Sequence, residues 1–341
     1  MRVVFRADSG IEQGTGHVMR CLTLAEELMT RGHEVHLFTG AVSIDWLRDA
    51  IEASGVITHQ CIADDVPLAA ILNLAPDWLV VDSYRIDAGA ISAANRSVPV
   101  LAIIDGDDRT IEATLFLDQN LGAETLYQDR ESSHRYLAGS HFALVRNAIL
   151  AARRDEPFKL GQGEPRLVCF MGGSDPSGSI VDVVRSLDEI SPSVRLTIVA
   201  PVRLHDSIRG VLSYPSRAEI LALTTELPLL LADAEVVISA AGTSAWDVCT
   251  LGIPAVLIAV AANQQLSLHE AVSRGLALGV DVVAGGDDAV DSVGEFVSSL
   301  LRDVSLRVRL SMASRAAFDG RGSHRVVARM EGTCGATSRG T

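Results

Sequence analysis

The chain is 341 residues long, with 48% hydrophobic and 21% charged residues, which suits two globular cores and argues against a disordered or fibrous protein. Its formal net charge of −14, with no Lys/Arg cluster, argues against binding a nucleic-acid backbone, which needs a basic surface. A nucleotide ligand stays open, because backbone N–H groups at helix N-termini hold phosphates without basic side chains.

In chain order, strands are expected at 2–7, 35–39, 78–82 and 100–104, and apolar residues recur at helical spacing over 18–30, 44–53 and 88–94. Short strands separated by helices indicate right-handed crossovers and a parallel sheet. A content of only 4% aromatics, with Ala, Val, Leu, Ile and Gly dominant, suits buried parallel strands under small-residue helices. Segments 115–121 and 136–145 complete this half, and the polar, glycine-containing stretch 151–164 reads as a linker. A second cycle opens at 166–171 and continues with strands at 195–199, 235–239, 255–260 and 278–282. Its helices are expected over 180–187, 204–212, 243–250, 265–273 and 290–300. A further helix over 305–318 could pack back on the first half, and from 331 onward small and polar residues suggest a frayed tail. The expected domains are 1–152 and 165–303, with C-terminal helices over 304–330. The fold class is therefore α/β, two doubly wound parallel-sheet domains facing a central cleft, where ligands bind at the carboxyl ends of strands.

Cys21, Cys61, Cys169, Cys249 and Cys334 form no CxxC pair, as expected of reduced thiols in a cytoplasm. The most apolar run, 253–262, is about half of the ~20 residues that span a bilayer. The chain opens on a strand rather than a signal peptide. The expectation is a cytoplasmic protein without a membrane span; no segment calls for a cofactor or identifies a protein partner.

The first expected strand runs into Asp8-Ser9-Gly10-Ile11-Glu12-Gln13-Gly14-Thr15-Gly16-His17. Gly14 and Gly16 permit tight turns and close backbone approach where a helix begins. His17 falls in the first turn of that helix, whose positive end disfavours an imidazolium. A neutral imidazole there can serve as general base toward water or a sugar hydroxyl, or it can simply donate to a phosphate or cap the helix. The spacing is not the dinucleotide G-x-G-x-x-G, which argues against NAD.

Around this loop the chain resembles the hydrolases of pseudaminic acid biosynthesis that act on UDP-2,4-diacetamido-2,4,6-trideoxy-β-L-altropyranose. The resemblance runs through Arg6-Ala7-Asp8-Ser9, Gly14-Thr15-Gly16-His17-Val18-Met19-Arg20-Cys21-Leu22, Val81-Asp82-Ser83-Tyr84 and Leu117-Asp118-Gln119-Asn120-Leu121-Gly122. It continues through Ala143-Leu144-Val145-Arg146, Met171-Gly172-Gly173-Ser174-Asp175, Ala241-Gly242-Thr243-Ser244-Ala245-Trp246-Asp247 and Asn263-Gln264. It implies the GT-B fold of UDP-sugar glycosyltransferases and hydrolysis at the anomeric carbon with release of UDP. By the same resemblance His17 is the base that activates water, Tyr84 and Asn263 stand beside the sugar, and Asp82 shares their strand-end motif. No metal is implied.

Gly173 and Ser174 in one loop, and Gly242, Thr243 and Ser244 in the other, precede helices and could cradle a diphosphate. Asp247 could accept from ribose hydroxyls, and Arg6, Asp8, Thr15 and Gln264 complete the expected substrate contacts. A glycosyltransferase on the same fold is the alternative, with His17 deprotonating an acceptor hydroxyl. The chain departs from the family in carrying Asp247 where Glu is usual and Asp105-Gly106-Asp107-Asp108-Arg109 where Asp-Asp-Leu-Ala is frequent. Three acidic residues in that segment lack EF-hand spacing and read as a solvated loop. Asp82 can equally well satisfy backbone groups at its strand end, and Trp246 reads as core.

Overall fold

The computed structural model describes residues 1–8, 15–40, 42, 44–60, 68–105, 109–154 and 163–337. Gly14, Cys61, Gly106, Asp107 and Asp108 lie outside the described residues, as does the side chain of Cys334. The chain divides into two compact units, 1–145 with 320–341, and 146–319.

The first unit is a seven-stranded parallel sheet in the order β3-β2-β1-β4-β5-β6-β7. Its strands are β1 (Arg2–Ala7), β2 (Glu34–Thr39), β3 (Ile57–Gln60), β4 (Trp78–Asp82), β5 (Val100–Ile103), β6 (Leu115–Asp118) and β7 (Tyr136–Ala138). Side chains alternate between two apolar cores, so Val3, Phe5, Trp78 and Val80 face one and Val4, Leu79 and Val81 the other. A strand buried on both faces is apolar through its middle, which is why Val3–Phe5 of β1 and Trp78–Val81 of β4 read as unbroken hydrophobic runs.

The helix Gly16–Thr30 covers the first of those cores through Val18, Cys21, Leu24 and Leu28. The last helix, Gly322–Thr337, packs on the same core through Val326, Val327 and Met330. The return to the first unit is thus made by this helix. The helix expected over 305–318 instead spans Val304–Ala317 and lies in the second unit, where Leu310 enters the core and Phe318 stacks on Trp246. The expected frayed tail from 331 is helical through Thr337, because Met330 and the contacts of Glu331 with Arg31 and His33 hold that end to the first unit.

The second unit is a six-stranded parallel sheet in the order β10-β9-β8-β11-β12-β13. Its strands are β8 (Arg166–Phe170), β9 (Arg195–Val199), β10 (Ala218–Leu221), β11 (Val236–Ala240), β12 (Ala255–Ala259) and β13 (Leu278–Asp281). Both units are doubly wound and Rossmann-like, as expected from the sequence. Among the described residues no helix is long and apolar enough to cross a membrane. Cys21, Cys169 and Cys249 are buried free thiols; burial pushes the Cys249 thiol up to about 12, so it stays protonated and packs as a small apolar group.

Candidate functional site

In each unit the strand order reverses at one place, between β1 and β4 in the first and between β8 and β11 in the second. A crevice opens there at the carboxyl ends of the strands, and ligands of doubly wound sheets bind in it. The glycine-bearing segments found in the sequence all follow strands at these reversals. The chain after β1 leads to Thr15-Gly16-His17, β8 leads to Gly172-Gly173-Ser174, and β11 leads to Ala241-Gly242-Thr243.

The first unit assembles a charged network at its reversal. Trp78 and Val80 face the core beneath the helix Gly16–Thr30, so strand alternation turns Asp82 to that same side. On the helix, His17 and Arg20 are three residues apart and share a face with Cys21, Leu24 and Leu28. The three polar side chains therefore meet where the strand ends and the helix begins. His17 Nδ1 lies 2.5 Å from Asp82 Oδ1. Arg20 Nε donates to Asp82 Oδ2 at 2.5 Å, and its Nη2 donates to Asp82 Oδ1 at 2.6 Å. All three residues are buried.

Burial alone would raise the Asp82 carboxyl, but Arg20 and His17 hold it down at about 2. An ionised Asp82 only accepts, so the hydrogen on Nδ1 points to it and the lone pair is left on Nε2. The 3.2 Å approach of Arg20 Nη2 to Nδ1 is then a contact of two donors and not a hydrogen bond. In its neutral form the His17 imidazole is thus held by a buried carboxylate in the tautomer with its lone pair on Nε2.

Because folding depresses the Asp82 pKa, the stability it contributes is present above the ordinary carboxylate range and lost as pH falls toward about 2. Urea unfolding should show Asp82→Asn less stable than the parent at neutral pH. The gap should narrow as pH falls from about 5 toward 2.5. A gap that is constant across that range would refute the ion pair as its source.

Arg20 also reaches Asp105, beyond the end of β5, with Nη1 donating to Oδ1 at 2.8 Å and Oδ2 at 2.7 Å. Asp105 accepts in addition from Tyr84 Oη at 2.8 Å and from Asn120 Nδ2 at 3.1 Å. The expected solvated character of this segment therefore does not hold for Asp105, whose side chain is 10% exposed and whose carboxylate is held by three side chains. Arg109, at the far end of the same segment, donates to the carbonyl oxygens of Ser83, Tyr84 and Ile86 and fixes the backbone of the turn that carries Tyr84. Tyr84 is 43% exposed, and its ring stands edge-on to the His17 imidazole, with centroids 5.1 Å apart. Partial burial and Asp105 both raise the Tyr84 phenol, so it presents a neutral ring and hydroxyl. Neither Arg20 nor Asp105 is expected as a site residue from the sequence.

The other expected residues of this unit lie nearby on β1 and at the helix start. Arg6 Nη1 is 3.1 Å from Asp8 Oδ1 and donates to the Ala7 carbonyl at 2.6 Å, with both side chains buried. Among the described residues Asp8 Oδ2 is buried without a hydrogen-bond partner, and the Asp8 N–H bonds the Asp82 carbonyl. Thr15 and Gly16 open the helix, with the Thr15 carbonyl accepting from Met19 N.

In the second unit, the helix Ser179–Ser186 after Gly173 and Ser174 is capped by the chain's own carboxylate. Asp175 accepts from Ser179 N and Ile180 N at 3.0 and 3.2 Å, and holds a φ of 39°. Arg203 donates to the carbonyl oxygens of Ser174 and Asp175 and pins that turn. The helix Ser244–Leu251 has no cap bond from the Thr243 side chain, and in its first turn Ala245 N donates to the Gly242 carbonyl at 2.9 Å and Trp246 N to the Thr243 carbonyl at 3.2 Å. Asp247 is buried and bonded through Oδ2 to Arg146 Nε and Nη2 at 3.1 and 2.6 Å. Burial raises its carboxyl and Arg146 opposes the shift. Asn263 is exposed in the turn after β12, and Gln264 Oε1 accepts from Val260 N at 3.0 Å. Trp246 is core, 1% exposed.

Residues 167–281, which run from β8 to β13 and include both glycine turns of the second unit, match the family described as the glycosyltransferase family 28 C-terminal domain. The spore coat polysaccharide biosynthesis protein SpsG of Bacillus subtilis is 22% identical over 348 residues, covering 96% of this chain and 97% of the relative. An uncharacterized protein of Methanocaldococcus jannaschii is 24% identical over 271 residues, or 76% of this chain, and the match spans 55% of that relative's length. Among solved structures, the spinosyn forosaminyltransferase SpnP superposes with a TM-score of 0.70 at 14% identity, over 98% of this chain and 99% of the other. The spinosyn rhamnosyltransferase SpnG complexed with thymidine diphosphate gives 0.65 at 17% identity, over 97% and 100%. MurG of Acinetobacter baumannii gives 0.60 at 15% identity, over 97% and 99%. Likeness at these identities is likeness of fold, and by it the chain has the GT-B fold.

Proposed function

We propose that the protein cleaves the anomeric C–O bond of a nucleoside-diphosphate sugar, with His17 Nε2 deprotonating the attacking oxygen. The observation that carries this reading is the His17–Asp82 pair at the strand-order reversal, a base with its tautomer fixed and its lone pair on Nε2. Asp82 stabilises the imidazolium formed as the proton is taken, and Tyr84 and Asn263 contact the sugar. The turns at Gly173-Ser174 and Gly242-Thr243-Ser244, each leading into a helix, receive the diphosphate. Asp247 turns to the ribose only by sharing its carboxylate with Arg146. Arg6, Asp8, Thr15, Gly14, Gly16 and Gln264 shape the surrounding turns. Neutralising a departing diphosphate with helix ends lets the reaction run without a metal.

Two oxygen nucleophiles fit this chemistry. The family 28 match and the glycosyltransferase neighbours support an acceptor hydroxyl, and therefore glycosyl transfer. The ordered motif set from Arg6 to Gln264 supports water, and therefore release of a free deoxy-aminosugar with UDP. The polysaccharide biosynthesis for which the Bacillus relative is named accords with a sugar nucleotide in either case. The deciding experiment follows nucleotide release from a panel of UDP- and TDP-aminosugars, with and without candidate acceptors. Multiple turnovers without acceptor identify a hydrolase, and turnover only with acceptor identifies a transferase. Tight binding of the sugar nucleotides with no release under either condition would overturn the proposed reaction.

A further inference from the structure

The guanidinium of Arg20 sits between two carboxylates, Asp82 on the His17 side and Asp105 on the Tyr84 side. A buried arginine is strongly destabilising unless paired, and all three of its guanidinium nitrogens are paired here by charge-assisted bonds. Those bonds fix Asp82 at both oxygens, and with it the imidazole that Asp82 holds. Asp105 in turn holds the far end of Arg20 and the hydroxyl of Tyr84, whose ring edges the same imidazole.

We propose that Arg20 and Asp105 are positioning residues that set the orientation and charge balance of His17 through Asp82, and that Asp105 couples Tyr84 to the same unit. The proposal rests on the reading of His17 as the base. With Asp82 and Asp105 ionised and Arg20 charged, the cluster around a neutral His17 carries one net negative charge, which favours the imidazolium of the transition state. Removing the Asp105 charge leaves the cluster neutral, and removing the Arg20 charge leaves it doubly negative. The two changes therefore act on His17 in opposite directions. The charged and titratable groups set around His17 by the packed elements are Asp82 of β4, Arg20 and Cys21 of the helix, Tyr84 and Asp105, with the Arg6–Asp8 ion pair, which adds no net charge, at the end of β1.

The test is the pH–rate profile of nucleotide release for Asp105→Asn and Arg20→Gln, beside the ¹⁵N signals of the His17 imidazole. Asp105→Asn should move the acid limb down by about one pH unit, and Arg20→Gln should move it up by a similar amount. Both should lower kcat by about 10- to 100-fold with KM changed much less. Arg20→Lys should keep the charge and the position of the limb while losing kcat, because an ammonium cannot make the fork. The ¹⁵N signals report the Nδ1–H tautomer and its titration without turnover, so they also serve if Arg20→Gln folds poorly or no substrate in the panel is turned over. Limbs and imidazole titrations that stay put, or that move in the same direction for both charge-removing variants, would overturn the proposal. Unaltered turnover in His17→Ala would overturn the base reading instead, so the two failures are distinguishable.

Discussion

Replacing His17 with alanine is expected to lower kcat for nucleotide release by about 10²–10⁴-fold, the range that a positioned general base supplies. Asp82→Asn should cost nearly as much, although the side chain keeps its shape. A carboxylate at 2.5 Å can only accept from Nδ1, whereas an amide can also donate to it and so admit the tautomer with the proton on Nε2. The double variant should be hardly worse than either single one, because the two residues act as one unit. Steady-state kinetics on the three variants, with sugar-nucleotide affinity measured separately by calorimetry, checks this. If Asp82→Asn lost affinity and kept kcat, Asp82 would be a structural partner of Arg20 and no part of the base.

The parts of this site that can be read from the sequence are those whose signal is local. The apolar runs Val3–Phe5 of β1 and Trp78–Val81 of β4 and the glycines before His17 place the base at a strand-to-helix junction, and the resemblance adds the segment ending in Asp82 and Tyr84. Arg20 is not legible in this way, since an isolated basic residue in a helix ordinarily reads as solvated. Its signal is positional: it stands three residues after His17 and one before Cys21, on the stripe continued by Leu24 and Leu28, all of them buried. A basic residue on an apolar stripe demands carboxylate partners, and those lie 62 and 85 residues away on other strand ends. Asp105 misleads for the same reason. Its acidic neighbours in sequence suggest solvent, while its partners Arg20, Tyr84 and Asn120 come from three other segments. The Arg146–Asp247 pair, 101 residues apart, has no local signature at all.

The same division holds for the fold. Strands buried on both faces are legible to within a residue or two, whereas β3, β7 and β10 are missed or blurred. Each is an edge strand of three or four residues. An edge strand needs apolar residues on one face at most, and β10 has no buried position among Ala218–Leu221. Ala218 and Ile220 are only partly buried against the core, and the pairing of the strand to β9 is a tertiary fact.

The last helix supplies a test in which one substitution has opposite signs at two positions. At Gly322, the first residue of Gly322–Thr337, a Cβ would lie 2.0 Å from the Ala143 carbonyl oxygen and 2.6 Å from the Phe142 carbonyl carbon. Both neighbours are backbone, so no side chain can swing aside, and Gly322→Ala must push the helix start away from the 142–143 turn. That turn and the helix contribute Leu144, Val326, Val327 and Met330 to one apolar core, so the displacement opens packing that both share. A loss of about 2–3 kcal/mol is expected, at the upper end of overpacking costs. At Gly332, ten positions along the same helix, a Cβ would meet nothing within 4 Å. Gly332→Ala should therefore stabilise by up to about 1 kcal/mol through helix propensity alone. Chemical denaturation of the two variants against the parent reads both signs. Equal effects would mean that the helix is not seated against residues 142–143. Opposite effects would establish that the C-terminal segment is an integral layer of the unit that carries His17.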